Sequence, residues 1–139
     1  MLTVHEMGGS PGVLGPKRFE SFVLPALQKV FASLTRPRIL SVCGNTNAAM
    51  PLLAQAGADA ISVDQLNNLV ASRAALPDTL LFGNLDPVAV LANGSPAAVH
   101  QAVTAAVTAG VDAIWPGCDL YPFTPVENLK AMGSMAQNS

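Results

Sequence analysis

The chain has 139 residues with seven Lys or Arg, nine Asp or Glu and a net charge of −2, where a globular domain of average make-up would carry about 35 charged groups. Half of the residues are apolar, which excludes disorder and points to a sheet buried on both faces or to a chain that sits against something else. A slightly negative chain with scattered cations is not expected to bind nucleic acid, and two cysteines do not make a disulfide scaffold.

In chain order, Leu2–His5 reads as a short strand. Residues Met1–Glu6 show no basic region followed by a long apolar run, so no signal peptide is expected and the cytoplasm is the expected compartment. Gly8–Gly12 reads as a loop. Pro16 opens a helix to about Ser33, with Phe19, Phe22, Val23, Leu27, Val30 and Phe31 at helical spacing and Pro25 placed to kink it. Arg38–Cys43 reads as a strand. Asn45 or Thr46 caps the next helix, about Asn47–Gln55, which Gly57 ends. Asp59–Val63 is a further strand, Gln65–Ala75 a helix, and Thr79–Phe82 a strand that stops at Gly83. The longest uncharged stretch follows, between Asp86 and Asp112. It holds Pro87, Asn93, Gly94, Pro96, His100 and Gln101, so it is not a membrane span. Ser95 caps a helix that begins with Pro96 and runs to Ala109, and Gly110 ends it. Asp112–Trp115 is the last strand and Pro125–Met132 the last helix.

An internal echo supports this register. Ala56–Ile61 and Ala109–Ile114 share the pattern A-G-x-D-A-I, with a helix-ending Gly and an Asp at the entrance of an apolar strand. Short apolar strands separated by helices of this length imply a parallel sheet of βα units.

In such folds chemistry gathers at the carboxyl ends of strands. The successive exits hold His5 and Glu6; Ser41, Cys43 and Gly44-Asn45-Thr46; Ser62 and Asp64; Gly83-Asn84-Leu85-Asp86-Pro87; and Trp115-Pro116-Gly117-Cys118-Asp119. Two exit cysteines with carboxylates near them are the donor set of a thiolate-rich zinc site. Two bland alternatives stand beside it: small buried apolar residues, or a disulfide. His5 and Glu6 read as polar residues near a terminus, and His100 as a solvent-facing helix residue. Asp59 and Asp112 lie at strand entrances and are expected to bond turn backbone. Trp115 reads as packing and Gly8-Gly9 as a plain turn.

Cys43-Gly44-Asn45-Thr46, Gly57–Asp64, Gly83-Asn84-Leu85-Asp86-Pro87, Pro116-Gly117-Cys118 and Pro125–Leu129, in this order and spacing, resemble the C-terminal half of the uroporphyrinogen decarboxylase superfamily. The two cysteines favour its methylcobamide:coenzyme M methyltransferase branch. The resemblance implies part of a TIM (β/α)8 barrel, about five parallel strands alternating with helices. It also implies a zinc ion that holds a thiol acceptor as thiolate, and a methylated corrinoid, carried by a partner protein, as methyl donor. By position Cys43, Cys118 and Asp64 match the metal ligands, while Ser41 stands where the branch has histidine. Asn84, Asp86, Asn45 and Glu6 are the expected substrate contacts. The alternatives are a metal-free decarboxylase-like protein, and a non-catalytic piece that needs the rest of its barrel. Because a whole barrel takes about 250 residues, the chain is expected to pair with a missing barrel half or with a second copy of itself.

Overall fold

The computed structural model describes residues 1–136. Its five apolar runs form strands β1 (Leu2–Glu6), β2 (Arg38–Val42), β3 (Ala60–Val63), β4 (Leu80–Leu85) and β5 (Ala113–Pro116). They make one parallel sheet in chain order, β1-β2-β3-β4-β5. Parallel neighbours need crossovers, and helices supply them. Between β1 and β2 lie α1 (Pro11–Leu14), α2 (Pro16–Arg18), a π turn at Phe19–Val23 and α3 (Leu24–Ser33). A 3-10 turn at Asn47–Ala49 and α4 (Met50–Ala54) follow β2, and α5 (Leu69–Ala75) follows β3. A π-helical turn at Pro87–Ala92 and α6 (Pro96–Thr108) follow β4, and α7 (Val126–Ala136) follows β5. Among the described residues no helix is long and apolar enough to cross a membrane.

The helices pack on the outer face of the sheet. Leu40, Val42, Ile61, Val63 and Leu81 point outward and are buried against Leu27 and Phe31 of α3, Leu53 of α4, and Leu76. A second cluster joins Leu85 to Leu91, Val99 and Val103 of α6, and Ala131 of α7. Each such side chain removed from water contributes about 1.5–3 kcal/mol, so the outer face carries most of the stability. The inner face alternates with it. It bears His5, Ser41, Ser62, Phe82 and Ala113, which are partners in register across the five strands. Phe82 stacks on Trp115 with ring centroids 5.7 Å apart.

The repeated A-G-x-D turn does the same thing twice. Gly57 and Gly110 take φ of +91° and +95°, a region that suits residues without Cβ. The chain then turns so that the aspartate clamps the neighbouring strand. Asp59 Oδ2 accepts the Arg38 N–H at 2.8 Å, and Asp112 Oδ2 accepts the Leu81 N–H at 2.8 Å. Arginines pair with both, Arg36 and Arg38 with Asp59 and Arg73 with Asp112.

Several boundaries differ from the sequence reading. The Pro16–Ser33 helix contains the π turn because Pro25 has no N–H to give, and the Leu24 N–H bonds Phe19 O, five residues back. The expected helix over Asn47–Gln55 is shorter, a 3-10 turn leading into α4. Thr46 does not cap it with its side chain, since its hydroxyl is spent on Asn67; Asn45 Oδ1 accepts the Asn47 N–H instead. The helix expected from Gln65 starts at Leu69, where Asn68 Oδ1 caps the Ala71 N–H. Strand β4 runs through Gly83 to Leu85, since glycine lets it pass close to β3: a Cβ there would stand 3.3 Å from Val63 O. Residues Pro87–Ala92 form an unexpected turn of helix, capped by Asp86, and Pro11–Leu14 a short helix inside a stretch read as loop.

Candidate metal centre

The inner face sets the site. The register pairs Glu6 with Val42 and Val42 with Val63. One position further on, Met7, Cys43 and Asp64 fall side by side at the strand exits. Met7 Sδ lies 3.2 Å from Cys43 Sγ. Cys118 follows β5 by two residues, through Gly117. In a flat sheet β2 and β5 would lie roughly 14 Å apart, three strand spacings. Yet the Cys43 and Cys118 sulfurs are 3.0 Å apart. Both thiols are free and half-buried. This contact requires the sheet to curl as the wall of a barrel does, with the exits converging on one mouth.

The ligand atoms of Cys43, Asp64 and Cys118 all lie within 4.8 Å of one another. Asp64 is buried, and its carboxylate is already aimed. Oδ2 accepts the Gly44 N–H at 2.8 Å, and Oδ1 accepts the Leu66 N–H at 2.9 Å. Each oxygen keeps a further lone pair. Asn67, also buried, ties the two loops together. Its Oδ1 accepts from the Thr46 N–H and hydroxyl, and its Nδ2 donates to Gly44 O and Asp64 O, all at 2.8–3.0 Å. Gly117 permits the close approach of the Cys118 loop, because a Cβ there would meet the Gln65 backbone nitrogen at 2.6 Å. Burial, the neighbouring Cys118 thiol, and the charges of Asp64 and Asp119 push the Cys43 thiol up to about 12.

The arrangement fits a thiophilic divalent metal. Zinc takes sulfur at about 2.3 Å and carboxylate oxygen at about 2.0–2.2 Å. Two sulfurs and one buried, pre-oriented oxygen would reach that geometry with movements of about 1 Å. That cavity, about 470 Å3, is lined by His5, Ser41, Cys43, Trp115, Cys118 and Asp119 among others, with no Lys or Arg.

The other sequence-level candidates lie apart from this mouth. Asn84 Nδ2 donates to Asp64 O and Asn67 O, so it braces the Asp64 loop. Asp86 Oδ1 accepts the Val88 and Ala89 N–H groups as a helix cap. Both line a second concavity of about 580 Å3 against α5 and α6. Asn45 is exposed and bonds Asn47. Glu6 accepts the Gly9 N–H at 2.7 Å through Oε1, while its buried Oε2 has no partner among the described residues. His5, which by sequence reads as a polar residue near a terminus, lines the cavity with the cysteines. Asn67 and Met7 join the site without having been sequence candidates. The cluster of polar residues at Asp64–Asn68 was the available signal for Asn67; nothing in the sequence marked Met7.

Fold and site together define a segment of a (β/α)8 barrel with a thiol–carboxylate centre at its mouth. The family profile described as uroporphyrinogen decarboxylase (URO-D) matches residues 1–139, and the chain belongs to that family. It is 33% identical over 129 residues to the methylcobamide:CoM methyltransferase MtbA of Methanosarcina mazei, covering 91% of this chain and 38% of that protein. It is 39% identical over 106 residues to a uroporphyrinogen decarboxylase of Rhodococcus jostii, covering 73% of this chain and 29% of the other. Among solved structures, a methyltransferase from Methanosarcina mazei superimposes with a TM-score of 0.92 at 26% identity, over 99% of this chain and 42% of that one. The chain thus spans well under half the length of these relatives.

Proposed function

We propose that the chain forms the thiol-activating part of a corrinoid-dependent methyltransferase. In this reading a thiol acceptor of the coenzyme M kind, held at Cys43, Asp64 and Cys118, takes a methyl group from a methylated corrinoid that a partner protein supplies. The observation that carries it is the convergence of two thiols and one buried carboxylate within 4.8 Å, together with the name of the MtbA relative. A zinc ion at these residues would lower the pKa of a bound thiol and keep it as a nucleophilic thiolate at neutral pH.

The chain's own groups do the rest. Cys43 and Cys118 offer soft sulfur donors once deprotonated. Asp64, fixed by the Gly44 and Leu66 N–H groups, adds a hard donor and a negative charge. Ser41 takes the place where the resemblance calls for histidine. Its hydroxyl is a weak ligand, so three protein donors leave one position for the acceptor. Trp115, Ile114 and Leu120 make the cavity wall apolar, which keeps water from the thiolate.

The decarboxylase alternative needs cations for a polycarboxylated tetrapyrrole, and the part of the lining that this chain contributes has no Lys or Arg. Metal analysis of the purified chain tests the proposal. About one zinc per chain is expected for wild type, with loss in Cys43→Ala and Cys118→Ala. No zinc above background in wild type at neutral pH overturns it.

A further inference from the structure

We infer that Cys43 and Cys118 are a reversible oxidation site, a dithiol that a peroxide closes to an intramolecular disulfide. The two sulfurs already touch at 3.0 Å. They need approach by only about 1 Å to bond, since a disulfide spans about 2.05 Å. They are the only two cysteines of the chain, so one intramolecular pairing exists. Both line the cavity, which is large enough to admit a small peroxide. They come from the exits of β2 and β5, elements anchored on separate apolar clusters, so the bond would staple one side of the mouth to the other.

The chemistry balances with a peroxide as oxidant. The Cys118 sulfur, as thiolate, attacks a peroxide oxygen, the O–O bond breaks, and the released oxygen leaves as water or an alcohol after taking a proton. The attacking sulfur becomes a sulfenic acid. The Cys43 thiol then attacks that sulfur, giving its proton to the departing oxygen; the S–O bond breaks, and water leaves. Two thiols lose two electrons and the peroxide gains them. A dithiol reductant reverses the reaction by thiol–disulfide exchange.

The bond stands on the sulfur contact alone. Its consequence, that the oxidised chain keeps only Asp64 of the three metal donors, rests on the function proposed above. Oxidation would then switch metal binding off, and bound metal would shield the thiols.

The test treats the reduced, metal-free chain with hydrogen peroxide and follows intact mass, free thiols and peptide maps. Loss of both thiols with a fall of about 2 Da, a Cys43–Cys118 linked peptide, and recovery with dithiothreitol are expected. Met7, 3.2 Å from Cys43, is replaced by Leu in a parallel sample so that its sulfoxide does not mask the change. Cys43→Ser should show a gain of about 16 Da at Cys118 in place of the loss. Retained thiols, chain-to-chain disulfides, or sulfinic acid without the linked peptide overturn the inference. Zinc added before the peroxide should slow thiol loss at least tenfold. If the reduced chain binds no zinc, the functional reading fails while the mass result still decides the disulfide.

Discussion

Asp59 shows how much one side chain can be asked to hold. The Arg36 guanidinium, then the Arg38 N–H and guanidinium, keep its carboxyl well below the usual carboxylate range. A group whose folded pKa is depressed stabilises the fold above its unfolded pKa, about 3.9, and loses that contribution as the pH falls through the folded value. The melting temperature of wild type should therefore decline below about pH 4. In Asp59→Asn that acid limb should be shallower, because the isosteric amide does not titrate; melts between pH 2 and 7 check this. At Gly117 the constraint is volume. The methyl of Gly117→Ala would press on the Gln65 backbone, which has no flexible end to yield. A loss of about 1–3 kcal/mol is expected in urea unfolding, with weaker zinc retention because Cys118 is the next residue.

Among the elements, the strands were legible because each is a short apolar run between a breaker and a polar exit. The loops between them were less so. The helical turn at Pro87–Ala92 carries no periodicity of its own and exists because Asp86 caps it. Asn67 was hard to single out because its partners Thr46 and Gly44 lie 21 and 23 residues away in the chain, and the polar cluster at Asp64–Asn68 does not mark which of its members makes such bonds. The two asparagine- and aspartate-based devices should separate on mutation. Asn67→Ala strands the Thr46 donors in a buried site and should cost about 3 kcal/mol in chemical denaturation, and zinc retention with it. Asp86→Ala removes a cap outside the mouth. It should cost about 1 kcal/mol and leave zinc stoichiometry unchanged.

For the whole molecule, the sparse charge anticipated a sheet buried on both faces or a chain that sits against something else, and part of the inner face stays uncovered. On the inner face Leu80 is 48% exposed and Phe82 half-buried, and β1 and β5 each have one unpaired edge among the described residues. Open parallel edges beside apolar surface favour association. Residues 1–139 expressed alone are expected to run as a dimer or larger species in light scattering; a stable monomer with a cooperative melt would contradict this. The parallel βα class was readable from the order of βα units, and the barrel from the family resemblance. The meeting of the β2 and β5 exits follows only from that resemblance, because curvature is a property of the assembled sheet.

The aspartate clamps at the bottom of the sheet also act as a ruler for its top. Arg38 and Asp59 are bonded to each other, and five residues onward along their two strands stand Cys43 and Asp64. Equal lengths measured from one fixed rung bring thiol and carboxylate to the same height, facing the same way. A slip of one residue between β2 and β3 would turn one of the two to the outer face. The alignment of the Cys43 thiol with the Asp64 carboxylate is thus set at the far end of the strands, by residues that never come near the mouth.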